Sequence, residues 1–61
     1  MAQPPNFPPV ALEHARERAI RELCDHFAAD HISDGELERR LDVATRATAL
    51  DELRALTSDL P

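Results

Sequence analysis

The side chains able to do chemistry are few: Cys24, His14, His26, His31 and twelve carboxylates. Thiolate, imidazole and carboxylate are the usual donors to a structural zinc, and a thiol beside an imidazole is the pairing of nucleophilic catalysis. Spacing decides whether either is available. No C-x-x-C, H-x-x-x-H or H-E-x-x-H pattern occurs. Cys24 and His31 are seven apart and would share an azimuth only on a helix running through both, whereas the helix carrying Cys24 is expected to end near Ala29. His14 falls on the side of that helix away from the core. A metal would therefore have to be shared between chains, and no metal or other cofactor is expected within one. Cys24 and His26, two apart, do not face each other on a helix. There is no glycine-rich turn, and a helical chain this short rarely encloses the several hundred cubic ångströms of a substrate pocket. The expectation is a protein that is not an enzyme. Cys24 is then a small hydrophobe at the margin of the core, His26 a half-buried, hydrogen-bonded ring, and His31 a solvent-facing turn residue.

Composition narrows the classes further. Sixty-one residues form one domain whose core is marginal, because a chain this short buries only about 60% of the surface its unfolded form exposes. A lone cysteine excludes an internal disulfide framework and fits a reducing compartment, so a cytoplasmic location is expected. Packing or association must supply the stability. The net charge is −5, with seven arginines and no lysine against twelve acids. Such a surface opposes the phosphate backbone of nucleic acids. No run of about 18 apolar residues is present to span a membrane, and the first residues lack the basic-then-apolar pattern of a secretory signal. Alanine, leucine, glutamate and arginine dominate over β-branched and aromatic residues, which predicts an all-α fold.

Three helices are legible along the chain. Residues 1–8 hold three of the five prolines and read as an extended, flexible Pro-rich arm, with a three-helix domain over 9–61. The first helix is predicted from Pro9 or Val10 to Ala29, with Leu12, Ala15, Ala19, Ile20, Leu23 and Phe27 in one apolar arc. Arg16 projects into that arc. Either its stem lies along the core with its head in water, or it pairs with an acid across the fold. Ser33-Asp-Gly-Glu36 reads as a capping box, with Ile32 placed to staple onto Leu37. The second helix is predicted over 34–47, with Leu37, Leu41, Ala44 and Thr48 as a narrow stripe. Thr48-Ala-Leu-Asp51 is a weaker cap opening a third helix over 49–59, in which Leu50, Leu53, Leu56 and Leu60 share a face. Glu17–Arg21, Glu36–Arg40 and Asp42–Arg46 are acid-to-arginine pairs in the favourable i, i+4 order.

The segment from Ala29 through Ser33-Asp-Gly-Glu-Leu-Glu-Arg-Arg40-Leu41-Asp42, followed by an alanine-rich stretch and a leucine-spaced helix ending Asp59-Leu60-Pro61, resembles a SHOCT-like domain of unknown function. Such domains are N-terminal modules of bacterial proteins, related to the short C-terminal SHOCT domain. The likeness covers roughly residues 11–61. Where members usually carry a glycine two residues before the turn hydrophobe, this chain has Asp30. The resemblance implies no catalytic or ligand residues. It implies a module for oligomerisation or protein–protein contact, often placed on the cytoplasmic side of membrane-associated or envelope-response proteins. The resemblance leads one to expect either an excised domain or a stand-alone version of one.

A non-catalytic protein-interaction or oligomerisation module is therefore the leading functional expectation. Val10, Val43, Ala47 and Ala55 lie outside the tightest apolar stripes and form the candidate interaction surface. The partner is expected to be another protein or a second copy. The alternative is a small regulatory nucleic-acid-binding helical protein, suggested by the short turn between helices. Against it, Arg39, Arg40 and Arg46 alternate with Glu36, Glu38 and Asp42, so no basic stripe forms.

Overall fold

A computed structural model of the chain describes residues 9–61; the arm expected over 1–8 lies outside the described residues. Three helices follow in order, α1 (Pro9–Ala28), α2 (Asp34–Arg46) and α3 (Leu50–Ala55), and among the described residues there is no strand. The all-α expectation holds. Ala19 and Leu23 of α1, Ala44 and Ala47 at the end of α2, and Leu53 and Leu56 of the third helical segment form the buried centre, with Leu23 fully enclosed. Leu12, Ala15, Ile20, Ile32, Leu37, Leu41 and Leu60 pack around it.

The corner between α1 and α2 is built by backbone hydrogen bonds. The His31 amide donates to the His26 carbonyl at 2.8 Å and the Asp30 amide to that of Phe27 at 3.0 Å. This is the Schellman closure of a helix C-terminus, which requires its first post-helical residue to be left-handed. Asp30 takes that conformation, with φ 65°. Glycine is the residue best suited to this position, which explains why aspartate stood out there in the sequence.

Ser33 then caps α2, its Oγ accepting from the Glu36 amide at 3.2 Å. Only half of the expected capping box forms. The Glu36 carboxylate turns outward to accept from Arg39 at 3.0 Å and Arg40 at 2.9 Å, two charged donors that outcompete a backbone amide. At the next corner Thr48 does not act as the cap. Ala49 occupies that position without a side-chain bond, and Glu52 instead accepts from the Thr48 amide at 2.9 Å. Because α2 stops at Arg46, Thr48 leaves the apolar stripe and is exposed.

The third helix is shorter than its leucine spacing suggested. After Ala55 the chain continues in tight turns, with amide-to-carbonyl bonds from Leu56 to Leu53, Ser58 to Ala55 and Leu60 to Thr57. Two side chains compete for the carbonyls that would extend the helix. Ser58 Oγ donates to Ala55 at 3.2 Å, and Arg40 donates to Leu56 at 2.7 Å. Leu53 and Leu56 still point inward, but Leu50 is left substantially exposed at the mouth of a groove. Phe27 is also exposed, at the rim of the apolar arc roughly 80° around α1 from Ala19.

Candidate interaction groove

Arg16 settles on a course that neither sequence reading contained. Its side chain is only 17% exposed, and its Nη1 donates to the carbonyls of Ala44 at 2.6 Å and Ala47 at 3.0 Å, with Thr45 at 3.3 Å. A cation from α1 thus caps the C-terminus of α2, where carbonyls lack intrahelical partners and the helix dipole is negative. Glu13 steadies the same guanidinium at 3.5 Å. The signal available in the sequence was an arginine inside an apolar arc; its target lay about thirty residues away.

Arg40 holds the third segment in a similar way. Its guanidinium meets Asp59 through two bonds of 2.9 Å, while Nε reaches Glu36 and Nη1 also reaches the Leu56 carbonyl. The hydrogen bond from Arg40 is the main reason that Glu36 and Asp59 both sit below the ordinary carboxylate range. In turn these two carboxylates, Asp59 first, raise the arginine further above its ordinary value. The Arg40-Leu41-Asp42 and Asp59-Leu60-Pro61 segments are therefore two sides of one clasp. Asp42–Arg46 closes as expected at 3.2 Å. Glu36–Arg40 also closes as expected at 2.9 Å, with Arg39 joining the same carboxylate at i, i+3, whereas among the described residues Glu17–Arg21 forms no ion pair.

With both ends of α2 and the tail of the chain fixed, α2 and the third segment leave an open groove of about 510 Å3 between them. It is lined by Val43, Ala47, Ala55 and Leu56, with Asp42, Arg46 and Glu52 at its edges. Three of the four candidate surface residues thus come together. Ala47 needs correction: it is 4% exposed and belongs to the core, so it forms the floor of the groove rather than a protruding strip. Its carbonyl accepts from Arg16 of α1 at 3.0 Å, so this end of α2 lies against α1 rather than facing water. Val43, 43% exposed, is the accessible wall. Val10, 59% exposed on the first turn of α1, is not part of this groove. A second open groove, about 370 Å3, runs between α1 and α3 over Ala15, Ala19, Leu50 and Leu53. Sequence reasoning missed it because it expected Leu50 to be buried.

The histidines and the thiol also depart from their expected places. Cys24 is exposed rather than tucked at the core margin. His31 is solvent-exposed and His26 half-buried, as anticipated, yet they meet each other: Nδ1 to Nδ1 is 2.9 Å, with ring centroids 5.1 Å apart and planes tilted by 42°. On a continuous helix, residues five apart would point roughly 140° apart. The Schellman corner folds His31 back over His26, a closure visible only once the helix end is known. Among the described residues, no group of three or more His, Cys, Asp or Glu is arranged to hold a metal ion.

These features define a small all-α domain in which two arginine clasps hold three helices and leave apolar grooves open at the surface. The chain belongs to the DUF1707 SHOCT-like domain family, whose family model matches residues 11–61. No curated protein and no solved structure matches it. Among the described residues, no helix is long and apolar enough to cross a membrane.

Proposed function

We propose that this domain is a non-catalytic protein–protein interaction module that docks a small apolar surface, from a second copy or another protein, into the groove between α2 and the third helical segment. The supporting observation is the convergence of Val43, Ala47, Ala55 and Leu56 into one open groove, beside a buried core that comprises six of the described residues. Docking there would bury apolar area that the domain cannot cover by itself, at roughly 25 cal/mol per Å2. Edge charges of both signs, Asp42 and Glu52 against Arg46, would set the register of a partner more than its affinity. In a longer parent chain the module would act at the cytoplasmic face of a membrane-associated or envelope-response protein.

Self-association is the form to test first. Sedimentation velocity from low to high micromolar concentration should show a dimer or higher assembly for the natural sequence. Val43→Arg, at an accessible position, should give a monomer with unchanged helical circular dichroism. A folded monomer at every concentration removes self-association and leaves docking of a different protein. The nucleic-acid reading has little support, since Arg39, Arg40 and Arg46 are all engaged by carboxylates. Nanomolar binding in a low-salt gel shift would reverse that judgement.

A further inference from the structure

We infer that the groove between α1 and α3 is a second docking site, for a short acidic segment of another protein in which carboxylates flank a bulky apolar side chain. It shares no lining residue with the groove beside Val43, so each can be tested without the other. Helix periodicity builds its walls. Ala15, Arg18 and Ala19 lie on one face of α1, and Leu50, Leu53 and Arg54 repeat the same i, i+3, i+4 spacing on α3. Each wall brings one arginine to the rim of an apolar floor made by Ala15, Ala19 and Leu53. Leu50, 36% exposed, leaves apolar surface uncovered at the mouth.

Charge selects the occupant. The chain carries a net −5, and Arg16, Arg39, Arg40 and Arg46 are already held by its own carboxylates. Among the described residues, Arg18 and Arg54 have no carboxylate partner, and both are exposed at this groove. His14, one turn before Arg18, adds a ring donor to the same wall. The one acid lining the groove, Glu22, follows Arg18 in the less favourable arginine-first order and instead accepts from Thr57 Oγ1 at 3.2 Å. A planar guanidinium meets a carboxylate through two parallel bonds, so two unpaired arginines across an apolar floor fit acids on either side of an apolar anchor. The volume, about 370 Å3, is near the lower end of ligand cavities, roughly 300–1,000 Å3, and suits a few side chains rather than a whole helix. At physiological salt, exposed charges beyond about 8 Å are largely screened, so a docked segment meets the groove's own charges rather than the net charge of the chain. A nucleic-acid backbone is disfavoured, because its phosphates continue past the groove over an acidic surface.

The probe is a random-peptide phage-display library selected on the full chain, with an Arg18→Glu/Arg54→Glu chain selected in parallel. The natural chain should enrich peptides carrying Asp or Glu beside Leu, Ile or Phe, and the reversed chain should select Lys or Arg in place of those acids. A labelled enriched peptide should bind the full chain saturably below about 1 mM in fluorescence polarisation. Arg18→Gln and Arg54→Gln, milder changes at exposed positions that keep the helical circular dichroism, should each weaken it about threefold to fivefold. Val43→Arg should leave it unchanged. No enrichment, enrichment of neutral or basic peptides, unchanged affinity in both glutamine variants, or loss of binding in Val43→Arg would each overturn the assignment. Loss of self-association in Arg18→Gln or Arg54→Gln by sedimentation velocity would also overturn it, giving the groove to a second copy.

Discussion

Replacing Arg16 by methionine isolates the most consequential polar interaction in the fold. Methionine retains an unbranched stem of similar reach, so packing along the core is largely preserved while the guanidinium is lost. The structure assigns that group two close bonds to backbone carbonyls, 2.6 Å to Ala44 and 3.0 Å to Ala47, in surroundings where the side chain is only 17% exposed. Hydrogen bonds involving a charged partner contribute about 1.5–3 kcal/mol each. The sum is reduced because the Ala44 carbonyl keeps a long bond, 3.4 Å, from the Ala47 amide. The Ala47 carbonyl, beside a buried side chain, gains no such replacement. A loss of about 2–3 kcal/mol follows, including the charge–dipole attraction at the end of α2. Globular domains have about 0.05–0.15 kcal/mol of stability per residue, or about 3–9 kcal/mol for this chain, so the substitution removes a large share. The melting temperature should fall by roughly 10–20 °C. Urea denaturation followed by circular dichroism measures the change directly. Arg16→Lys, with one point charge in place of a planar fork, should fall between the two. If Arg16→Met lies within about 0.5 kcal/mol of the natural sequence, the range of a neutral surface change, the guanidinium does not hold the end of α2 and the reasoning fails.

Other consequences can be measured on the same chain. Glu36 and Asp59 have folded-state values below the ordinary carboxylate range, so the stability they contribute is fully present above that range and is lost as pH falls through their depressed values. An acid-induced loss of stability should therefore appear at and below the carboxylate range, and Arg40→Gln should flatten it; an unchanged pH profile in that variant would show that the clasp contributes nothing. Asp30→Gly should raise stability by about 0.5–1 kcal/mol, because glycine accepts the left-handed backbone without a Cβ clash and removes an acid from a helix C-terminus. A fall in melting temperature would mean that the Asp30 side chain has a stabilising contact outweighing its strain.

The apolar spacing of Leu12, Ala19 and Leu23, the Ser33 signature, and the unusual aspartate at position 30 carried α1, the first corner and the start of α2, because each depends on a few neighbouring residues and on the period of a helix. The second corner and the end of the third helix were not legible in the same way. The partial legibility of the groove has the same origin. Val43 and Ala55 could be placed outside the tightest stripes from azimuth alone, but whether Ala47 faced water depended on where α2 stops and what captures its last carbonyls. Those outcomes required tertiary structure. Arg16 and Arg40 are ordinary arginines in a linear reading, and only the packing of α1 on α2, and of residues 56–60 against α2, shows which distant backbone carbonyls and carboxylates they serve. The meeting of His26 and His31 was hidden for a related reason: helical periodicity separates them, and a single left-handed residue brings them back together. Local propensity and pattern determined the rods; the competition among donors for unpaired carbonyls and carboxylates, settled in three dimensions, decided where the rods end and which side chains meet.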